Sequence, residues 1–168
     1  MDLAFEPLGK QHDRSVFSCG QPELDDWFRR RAGQDERRNL ARVFVAVHSE
    51  LGVVGFHSLS SFKLEVEALP EEIARKLPRY DGVSAALIGR LARDIRLRGK
   101  GIGELLVVDA LRRILGAARA LAVFAIVVDA KDERAATFYE GIGFRRFPLH
   151  PNRLFLLASS AARALERI

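Results

Sequence analysis

Cysteine is nearly absent from this chain, and so is any grouping of metal-binding side chains. Cys19 is the single cysteine among 168 residues, which excludes an internal disulfide framework and a zinc site made of several thiolates. No histidine is close to it in sequence, so we interpret it as a small buried thiol rather than a nucleophile. We predict no metal, because no metal-ligand spacing such as H-x-x-x-H connects the four histidines His12, His48, His57 and His150.

Long apolar runs are also missing. The longest runs, such as Leu121 to Val128, are far shorter than the roughly 20 residues that a membrane helix requires, and residues 1–10 lack the apolar core of a signal peptide. We therefore predict a cytoplasmic protein without a membrane partner. Repeats, low-complexity tracts and linkers are absent, and 168 residues of which 48% are hydrophobic suffice for one core. Residues 1–168 are predicted to form a single domain.

Arginine is what the chain has in excess. Lys and Arg number 27 against 22 Asp and Glu, a formal net charge of +5, which favours a polyanionic partner. The guanidinium group suits phosphate recognition better than an ammonium group does. The alternative is that each cluster lies on a solvated helix face among acidic residues, and the sequence leaves both interpretations open. The clusters are Arg29 to Arg31, Arg37 and Arg38, Arg42, Arg112 and Arg113, and Arg145 and Arg146.

A glycine-rich segment, Arg98-Gly99-Lys100-Gly101-Ile102-Gly103, lies between an extended apolar stretch and a long amphipathic helix pattern. Glycines at alternate positions adopt positive φ readily, so several backbone N–H groups can converge on one phosphate. The positive end of the following helix and the charges of Arg98 and Lys100 act in the same place. By itself the segment also fits an ordinary tight turn. Its spacing is neither G-x-G-x-x-G nor a phosphate loop ending in G-K-[ST], so NAD and ATP are poor candidates.

The remaining pattern predicts alternating strands and helices. Pro22 suits the first turn of a helix in which Trp27 is a core residue. Apolar, β-branched runs over 43–47 and 53–59 predict a hairpin. Strands over 84–95 and 122–128 enclose a helix over 101–118, which is a β-α-β unit with its ligand expected at the carboxyl ends of the parallel strands. The other predicted elements are a short helix at 70–77, a helix at 131–140 closed by Gly141 as a left-handed cap, and a last strand at 153–158.

These residues resemble a known family. Arg98-x-x-Gly101-x-Gly103 is similar to the acyl-coenzyme A motif of the GNAT-superfamily N-acetyltransferases. Arg90-Leu91-Ala92-x-Asp94 resembles a narrower group, the GNAT toxins of bacterial toxin-antitoxin pairs, although Arg93 stands where that family usually has an apolar residue. Further matches follow in the family's order and cover nearly the whole chain: Phe17-Ser18-Cys19-Gly20, Val43-Phe44-Val45-Ala46-Val47, Gly55-Phe56-His57-Ser58-Leu59-Ser60, Asp129-Ala130 and Phe138-Tyr139-Glu140-x-x-Gly143-Phe144.

The resemblance implies an α/β fold with a GNAT-like mixed central sheet, splayed middle strands that admit the pantetheine arm, and flanking helices. It implies acetyl-CoA as co-substrate and no metal. The backbone N–H groups of Leu91, Ala92 and Arg93 would polarise the thioester carbonyl. The resemblance also implies which residues of this chain contact coenzyme A: Leu91, Ala92, Arg93, Arg98, Gly99, Lys100, Gly101, Ile102, Gly103 and Phe138.

Tyr139 matches the catalytic tyrosine of the resembled family. A phenol, with a usual pKa near 10, stays protonated at neutral pH and can protonate a departing thiolate. The alternative is packing of both Phe138 and Tyr139 on the sheet, but neighbours on a helix point about 100° apart, so one can face the core and the other the ligand. The general base is left open, because Asp94 either serves the amine or forms a salt bridge to an arginine such as Arg90. His57 is given no role.

The resemblance implies a toxin that transfers acetyl from acetyl-CoA to the α-amino group of aminoacyl-tRNA and so blocks translation. Arg29, Arg30, Arg31 and Arg90 are the candidate tRNA contacts, and a cognate antitoxin is the expected protein partner. The acetylated tRNA and the formation of a homodimer are left open. Two alternatives remain: an acetyltransferase for small amines or protein N-termini, and a non-catalytic module that binds coenzyme A or nucleic acid. The intact glycine segment and Tyr139 argue against the second.

Overall fold

The computed structural model describes residues 2–79 and 81–166. Its strands are β1 (Leu3–Pro7), β2 (Arg42–His48), β3 (Gly52–Glu65), β4 (Gly82–Arg93), β5 (Ala125–Asp129), β6 (Arg145–Arg146) and β7 (Arg153–Leu157). Its α-helices are α1 (Pro22–Arg30), α2 (Ala32–Arg37), α3 (Glu71–Ala74), α4 (Ile102–Ala117), α5 (Glu133–Ile142) and α6 (Ala158–Glu166). Two short 3-10 helices cover Val66–Ala68 and Ile95–Leu97. Within the described residues, no helix is both long and apolar enough to cross a membrane.

The described strands form a mixed sheet in the order β1-β2-β3-β4-β5-β7-β6. β4 and β5 pair in parallel, as the predicted β-α-β unit requires, while the β1-β2, β2-β3, β5-β7 and β6-β7 pairs are antiparallel. The β4-β5 pairing runs from Ala85↔Ala125 to Ile88↔Val128, and β4 itself continues to Arg93. The predicted mixed α/β sheet is confirmed.

Two compact units divide the chain. The first comprises Met1–Ser60 and Gly89–Ala110, and the second comprises Ser61–Ile88 and Leu111–Ile168. The borders fall inside β3, β4 and α4 rather than in linkers. That residues 1–168 act as a single domain stays a prediction.

The first unit has an aromatic core around Phe56. The ring of Phe28 stacks on it with centroids 4.1 Å apart, and Phe17 meets it edge-on at 5.6 Å. Trp27 and Ala92 belong to the same buried cluster, which confirms Trp27 as a core residue. A second cluster joins Val54, Leu97, Ile102 and Leu106, with Leu91 packed against it. Because neighbouring strand residues point to opposite faces, Leu91 faces α4 while Ala92 faces α1.

A β-bulge shapes the strand beside this core. The β2-β3 register passes from Ala46↔Gly55 directly to Val47↔Val53, which leaves Val54 as an extra residue. The carbonyl of Val54 accepts the backbone N–H of Asp94 at 2.8 Å. The bulge therefore fixes the end of β4, the segment that the family resemblance assigns to the thioester carbonyl.

The second unit is built around Phe147 and Phe155, whose rings lie 5.0 Å apart, together with Leu64, Val127 and their apolar neighbours. The predicted helix after β5 is present, but Gly141 lies inside α5 and the helix ends at Ile142. Gly143 is the capping residue, with φ +125° and its N–H bonded to the carbonyls of Tyr139 and Glu140. The predicted Gly141 cap was wrong because glycine also tolerates helical φ, and half-buried Ile142 extends the helix.

Candidate active site

The glycine-rich segment has the backbone that an anion site needs. Gly99 and Gly101 adopt φ of +77° and +76°, the left-handed region that other residues avoid. Added Cβ atoms at these two positions would meet nothing within 4 Å, so glycine is required by the conformation rather than by lack of space. Residues 98–101 are exposed, whereas Ile102 is fully buried against Leu97 and Leu106, which anchors the loop to the core.

The loop delivers the chain into the N-terminus of α4. The first N–H groups of a helix have no partner within the helix, and the first backbone bond here is donated by Leu105 to the carbonyl of Gly101. The amides of residues 101–104 and the positive end of the helix therefore point toward the loop, whereas the N–H groups of Arg98 and Lys100 are bonded to the carbonyls of Ile95 and Leu97. Exposed Arg98 and Lys100 bring full charges to the same surface. This geometry suits a pyrophosphate.

The end of β4 brings Leu91, Ala92 and Arg93 into the same unit as this loop, whereas Phe138 lies in α5 of the second unit. Leu91 packs with Ile102 and Leu106, and Ala92 is buried in the aromatic cluster. The partly buried Arg93 donates a long hydrogen bond of 3.5 Å to the carbonyl of Asp94. Among the described residues, the β4-β5 register ends at Ile88, while β4 itself continues to Arg93.

Asp94 is committed to its own neighbours. The side chain is 1% exposed and accepts bonds from the backbone N–H of Ser18 and Arg96 at 3.3 and 2.9 Å, and from Nε and Nη2 of Arg96 at 2.9 and 3.0 Å. Burial by itself raises the pKa of Asp94, but the hydrogen bonds from Arg96 and Ser18 outweigh it and hold the pKa below its usual range. Such a carboxylate is a poor general base.

Of the two alternatives for Asp94, the structure shows the salt bridge to a nearby arginine, but the partner is Arg96 and not Arg90, the example named from the sequence. Asp94 precedes the 3-10 helix Ile95–Leu97 and caps it, so its carboxylate meets the main chain and guanidinium of Arg96 two residues on. Arg90 points elsewhere, onto Trp27.

Asp94→Ala is expected to lower the free energy of unfolding by about 2 kcal/mol at pH 7, because it leaves buried donors unpaired. The pKa of Asp94 is lower in the folded protein, so its stabilisation is present above the unfolded value of about 3.9 and is lost as the pH falls through the folded value. Urea unfolding at pH 7 and at about pH 3 measures both effects. Asp2→Ala, at an exposed aspartate, is the matched control; equal losses in the two variants would contradict the assignment.

Tyr139 lies in α5 of the second unit and is 7% exposed. Its ring meets Phe138 and Phe144 edge-on, with centroids 5.3 and 5.6 Å away. Burial raises the pKa of Tyr139 to about 12. Phe138 is the more exposed of the two, at 38%. The aromatic pair therefore divides between interior and surface, but Tyr139, the residue expected to face the ligand, is the one on the inside. The phenol therefore stays protonated at every physiological pH.

The candidate tRNA-contacting arginines differ in how firmly they are held. Arg29 donates to the carbonyl of Phe17, and Arg30 pairs with Asp26 at 3.1 Å. Arg31 is exposed at the end of α1. Arg90 has its guanidinium carbon 4.2 Å from the centre of the Trp27 ring. The structure thus brings exposed positive charge together along α1 and the end of β4.

Other arginine clusters are compensated by acidic side chains. Arg146 pairs with Glu133 and Glu140 at 2.7 and 2.9 Å, and Arg145 pairs with Glu72 at 2.7 Å. For these two arginines the structure favours the solvated ion-pair interpretation.

His57 is a residue whose partner the sequence analysis missed. Its ring is fully buried, and Nε2 lies 2.8 Å from Oδ2 of Asp109 on α4. Nδ1 has no hydrogen-bond partner among the described residues. No local signal links two residues so far apart along the chain. Complete burial keeps His57 from touching a substrate.

Comparisons with known proteins find sequence relatives that are named as toxins. No protein-family model matches the chain. A protein named probable toxin TacT from Sinorhizobium fredii is 32% identical over 160 residues, which cover 90% of this chain and 88% of that protein. A protein named tRNA-acetylating toxin from Mycobacterium tuberculosis is 37% identical over 149 residues, which cover 89% and 88% respectively.

Solved structures confirm the predicted fold class over nearly the full length. The structure of AtaT complexed with acetyl-methionyl-tRNAfMet is 28% identical with a TM-score of 0.89, and covers 96% of this chain and 98% of that one. The structure of AtaTR bound with acetyl-CoA is 28% identical with a TM-score of 0.83, and covers 96% and 97%.

Proposed function

The chain belongs to the acetyltransferase toxins of bacterial toxin-antitoxin systems, and from this premise we propose that it transfers acetyl from acetyl-CoA to the α-amino group of an amino acid esterified to tRNA. The acetylated amine can no longer attack the peptidyl ester, so translation stops. The observation that carries the proposal is an open loop with two positive-φ glycines at the start of α4, in a chain 37% identical to a tRNA-acetylating toxin. The reaction takes place in the cytoplasm, where charged tRNA is found, and residues 1–168 act as one catalytic domain.

Acetyl-CoA is held through its pyrophosphate by the loop and the N-terminus of α4. Backbone amides and the helix dipole supply most of the attraction, and the exposed cations add to it. Phe138, partly exposed beside Tyr139, contributes an apolar contact. The residues of this donor site are Arg98, Gly99, Lys100, Gly101, Ile102, Gly103 and Phe138.

The chemical step needs a polarised carbonyl, a neutral amine and a proton for the leaving group. Backbone N–H groups of Leu91, Ala92 and Arg93 stabilise the oxyanion that forms when the amine nitrogen attacks the thioester carbon. The C–S bond then breaks, and the thiolate takes the phenolic proton of Tyr139. The proton released by the amine restores the phenol through solvent. Asp94 takes no part, because all its bonding capacity is committed to Ser18 and Arg96.

The acceptor is held by the arginines of α1, which bind the tRNA backbone. AtaT is seen with an acetylated aminoacyl-tRNA, and its overall similarity supports the same class of acceptor here. An antitoxin that carries an acidic segment would compete for the same positive surface. Whether two copies of the chain associate does not alter this assignment.

A labelling experiment tests the proposed function. Total tRNA charged with amino acids, small amines and N-terminal peptides are incubated separately with the protein and acetyl-labelled acetyl-CoA. We expect label on the α-amine of the charged tRNA alone, with none on uncharged tRNA. Label on small amines or peptides without label on tRNA would overturn the proposal in favour of a general amine acetyltransferase, and acetyl-CoA binding without transfer would make the chain a binding module.

Reversal of Arg29, Arg30 and Arg31 to Glu is expected to weaken tRNA binding across many tRNA species and to reduce the magnitude of its salt slope, because phosphate contacts release counterions. The affinity for acetyl-CoA is expected to stay the same. Filter binding of charged tRNA at several salt concentrations measures the effect.

The matched control reverses three exposed cations of the second unit, Arg75, Lys76 and Arg79, so it alters the net charge equally. Equal weakening in both triple variants would mean that only net charge matters. Wild-type binding by the α1 variant would leave these arginines without a role in tRNA binding.

A further inference from the structure

The side chains of Arg90 and Trp27 form a stacking contact that has no role in the reaction as proposed so far. The guanidinium carbon lies 4.2 Å from the centre of the indole ring, within the range of a cation–π contact. Trp27 is 4% exposed and its Nε1 donates to Oδ2 of Asp35 at 3.0 Å. The indole therefore cannot rotate freely, and it presents a fixed face to Arg90.

The charge of Arg90 is left available. The guanidinium is stacked on a ring rather than joined to a carboxylate in an ion pair of the described residues, unlike Arg96 or Arg146. Burial lowers the pKa of Arg90; the charge of Arg31 lowers it further, and Asp35 opposes both. The Asp35 carboxylate that offsets part of this charge is already bonded to the indole N–H. Two exposed guanidinium groups therefore share one region, with an incompletely compensated positive charge.

The backbone of Arg90 is also fixed. Its N–H donates to Oγ of buried Ser58 at 3.0 Å. Arg90 directly precedes Leu91, the first residue whose backbone serves the acetyl group in the proposed reaction, and successive strand residues are only about 3.3 Å apart. Arg90 shares its face of β4 with Ala92, so its side chain lies over α1. Arg90 is therefore a cation only one residue from the backbone that serves the acetyl group in the proposed reaction, on the α1 side of β4.

We propose that Arg90 binds the terminal phosphodiesters at the 3′ end of the acceptor tRNA, and that Trp27, held by Asp35, is the positioning residue that aims its guanidinium. The inference rests on the proposed function. In an aminoacyl-tRNA the first anion beyond the reactive amine is the phosphate on the 5′ side of the terminal adenosine. Stacking covers one face of the guanidinium group. The N–H donors at its edge can then form two hydrogen bonds to the oxygens of one phosphate.

Two acceptors that share the same reactive end, one with phosphates and one without, test this assignment. One is total charged tRNA, and the other is the aminoacyl-adenosine released from the same pool by ribonuclease A, which has no phosphate. Arg90→Gln is expected to raise KM for charged tRNA about 10- to 100-fold, as for loss of a charged hydrogen bond. KM for acetyl-CoA and turnover of aminoacyl-adenosine should stay at wild-type values. Arg90→Lys, which keeps the charge but loses the planar fork, should fall between.

The role of Trp27 is tested through its ring. Trp27→Phe keeps an aromatic face and Trp27→Leu removes it, so the rise in KM for charged tRNA should be smaller for Phe than for Leu, and neither should add to the Arg90→Gln defect in the double variants. Thermal unfolding identifies any loss of fold. Arg75→Gln, at an exposed arginine of the second unit, controls for the loss of one charge.

The salt dependence of KM for charged tRNA gives an independent measurement, with a slope expected to fall by about one for Arg90→Gln. Wild-type kinetics and an unchanged slope in Arg90→Gln would overturn the proposal, and so would equal losses with charged tRNA and aminoacyl-adenosine. If the wild-type protein acetylates no charged tRNA at all, the proposed function fails with it; tRNA acetylation that ignores Arg90 overturns this inference alone.

Discussion

Tyr139→Phe is expected to lower kcat for tRNA acetylation by about 100- to 10,000-fold, the range for a positioned general acid. The substitution removes only the hydroxyl group, and the ring contacts with Phe138 and Phe144 persist. Acetyl-CoA affinity and thermal stability should barely change. Steady-state kinetics, with calorimetry of acetyl-CoA binding, separate the chemical defect from a binding defect.

The pH profile is a second measurement on the same variant. Burial raises the pKa of Tyr139 to about 12, so the acid form is fully populated up to about pH 10 and is lost only above that. Activity should therefore rise as the acceptor amine loses its proton, near pH 7 to 8, and the variant should show the same shape at a lower level. A fall in wild-type activity above about pH 8 that the variant lacks would contradict this assignment.

Expression in cells gives the corresponding biological result. The wild-type chain should arrest growth, and the Tyr139→Phe variant should not, at equal amounts of protein. Equal toxicity of the two would reject the role of Tyr139 in the reaction.

Gly101→Val is expected to weaken acetyl-CoA binding by about 10- to 100-fold. Valine at a φ of +76° costs about 1–3 kcal/mol, so the loop shifts to negative φ and its amides turn away from the pyrophosphate. The exposed loop has open space around Gly101, so the fold itself should survive. Calorimetric titration with acetyl-CoA measures the loss.

Gly116→Val is the matched control at the other end of α4. Gly116 also has open space for a Cβ, but its φ is not in the left-handed region. Its acetyl-CoA affinity should remain that of the wild type. Unchanged affinity in Gly101→Val would remove the glycine loop from the coenzyme A site, whereas equal losses in both variants would point to a general weakening of α4.

Local patterns predicted those parts of the molecule that depend on short stretches of chain. Helix α1 begins at Pro22 as expected, and the hairpin β2-β3 forms across the predicted turn. The elements that the sequence pattern missed or extended too far are short, and they depend on contacts that a local pattern does not contain. The two-residue strand Arg145–Arg146 and the first strand Leu3–Pro7 are defined by pairing with distant strands, and α3 covers only Glu71–Ala74 of the predicted 70–77.

The sequence by itself determined the positive-φ glycine loop, because alternate glycines before an amphipathic helix constrain φ and dipole within a few residues, and it determined the family through motifs spread along the chain. Only the tertiary structure decided the electrostatics of the site. The buried phenol of Tyr139, the pairing of Asp94 with Arg96 and Ser18 rather than Arg90, and the placement of Arg90 on Trp27 depend on which segments pack together. Burial and long-range contacts set pKa values and free charges, and neither quantity is encoded in neighbouring residues.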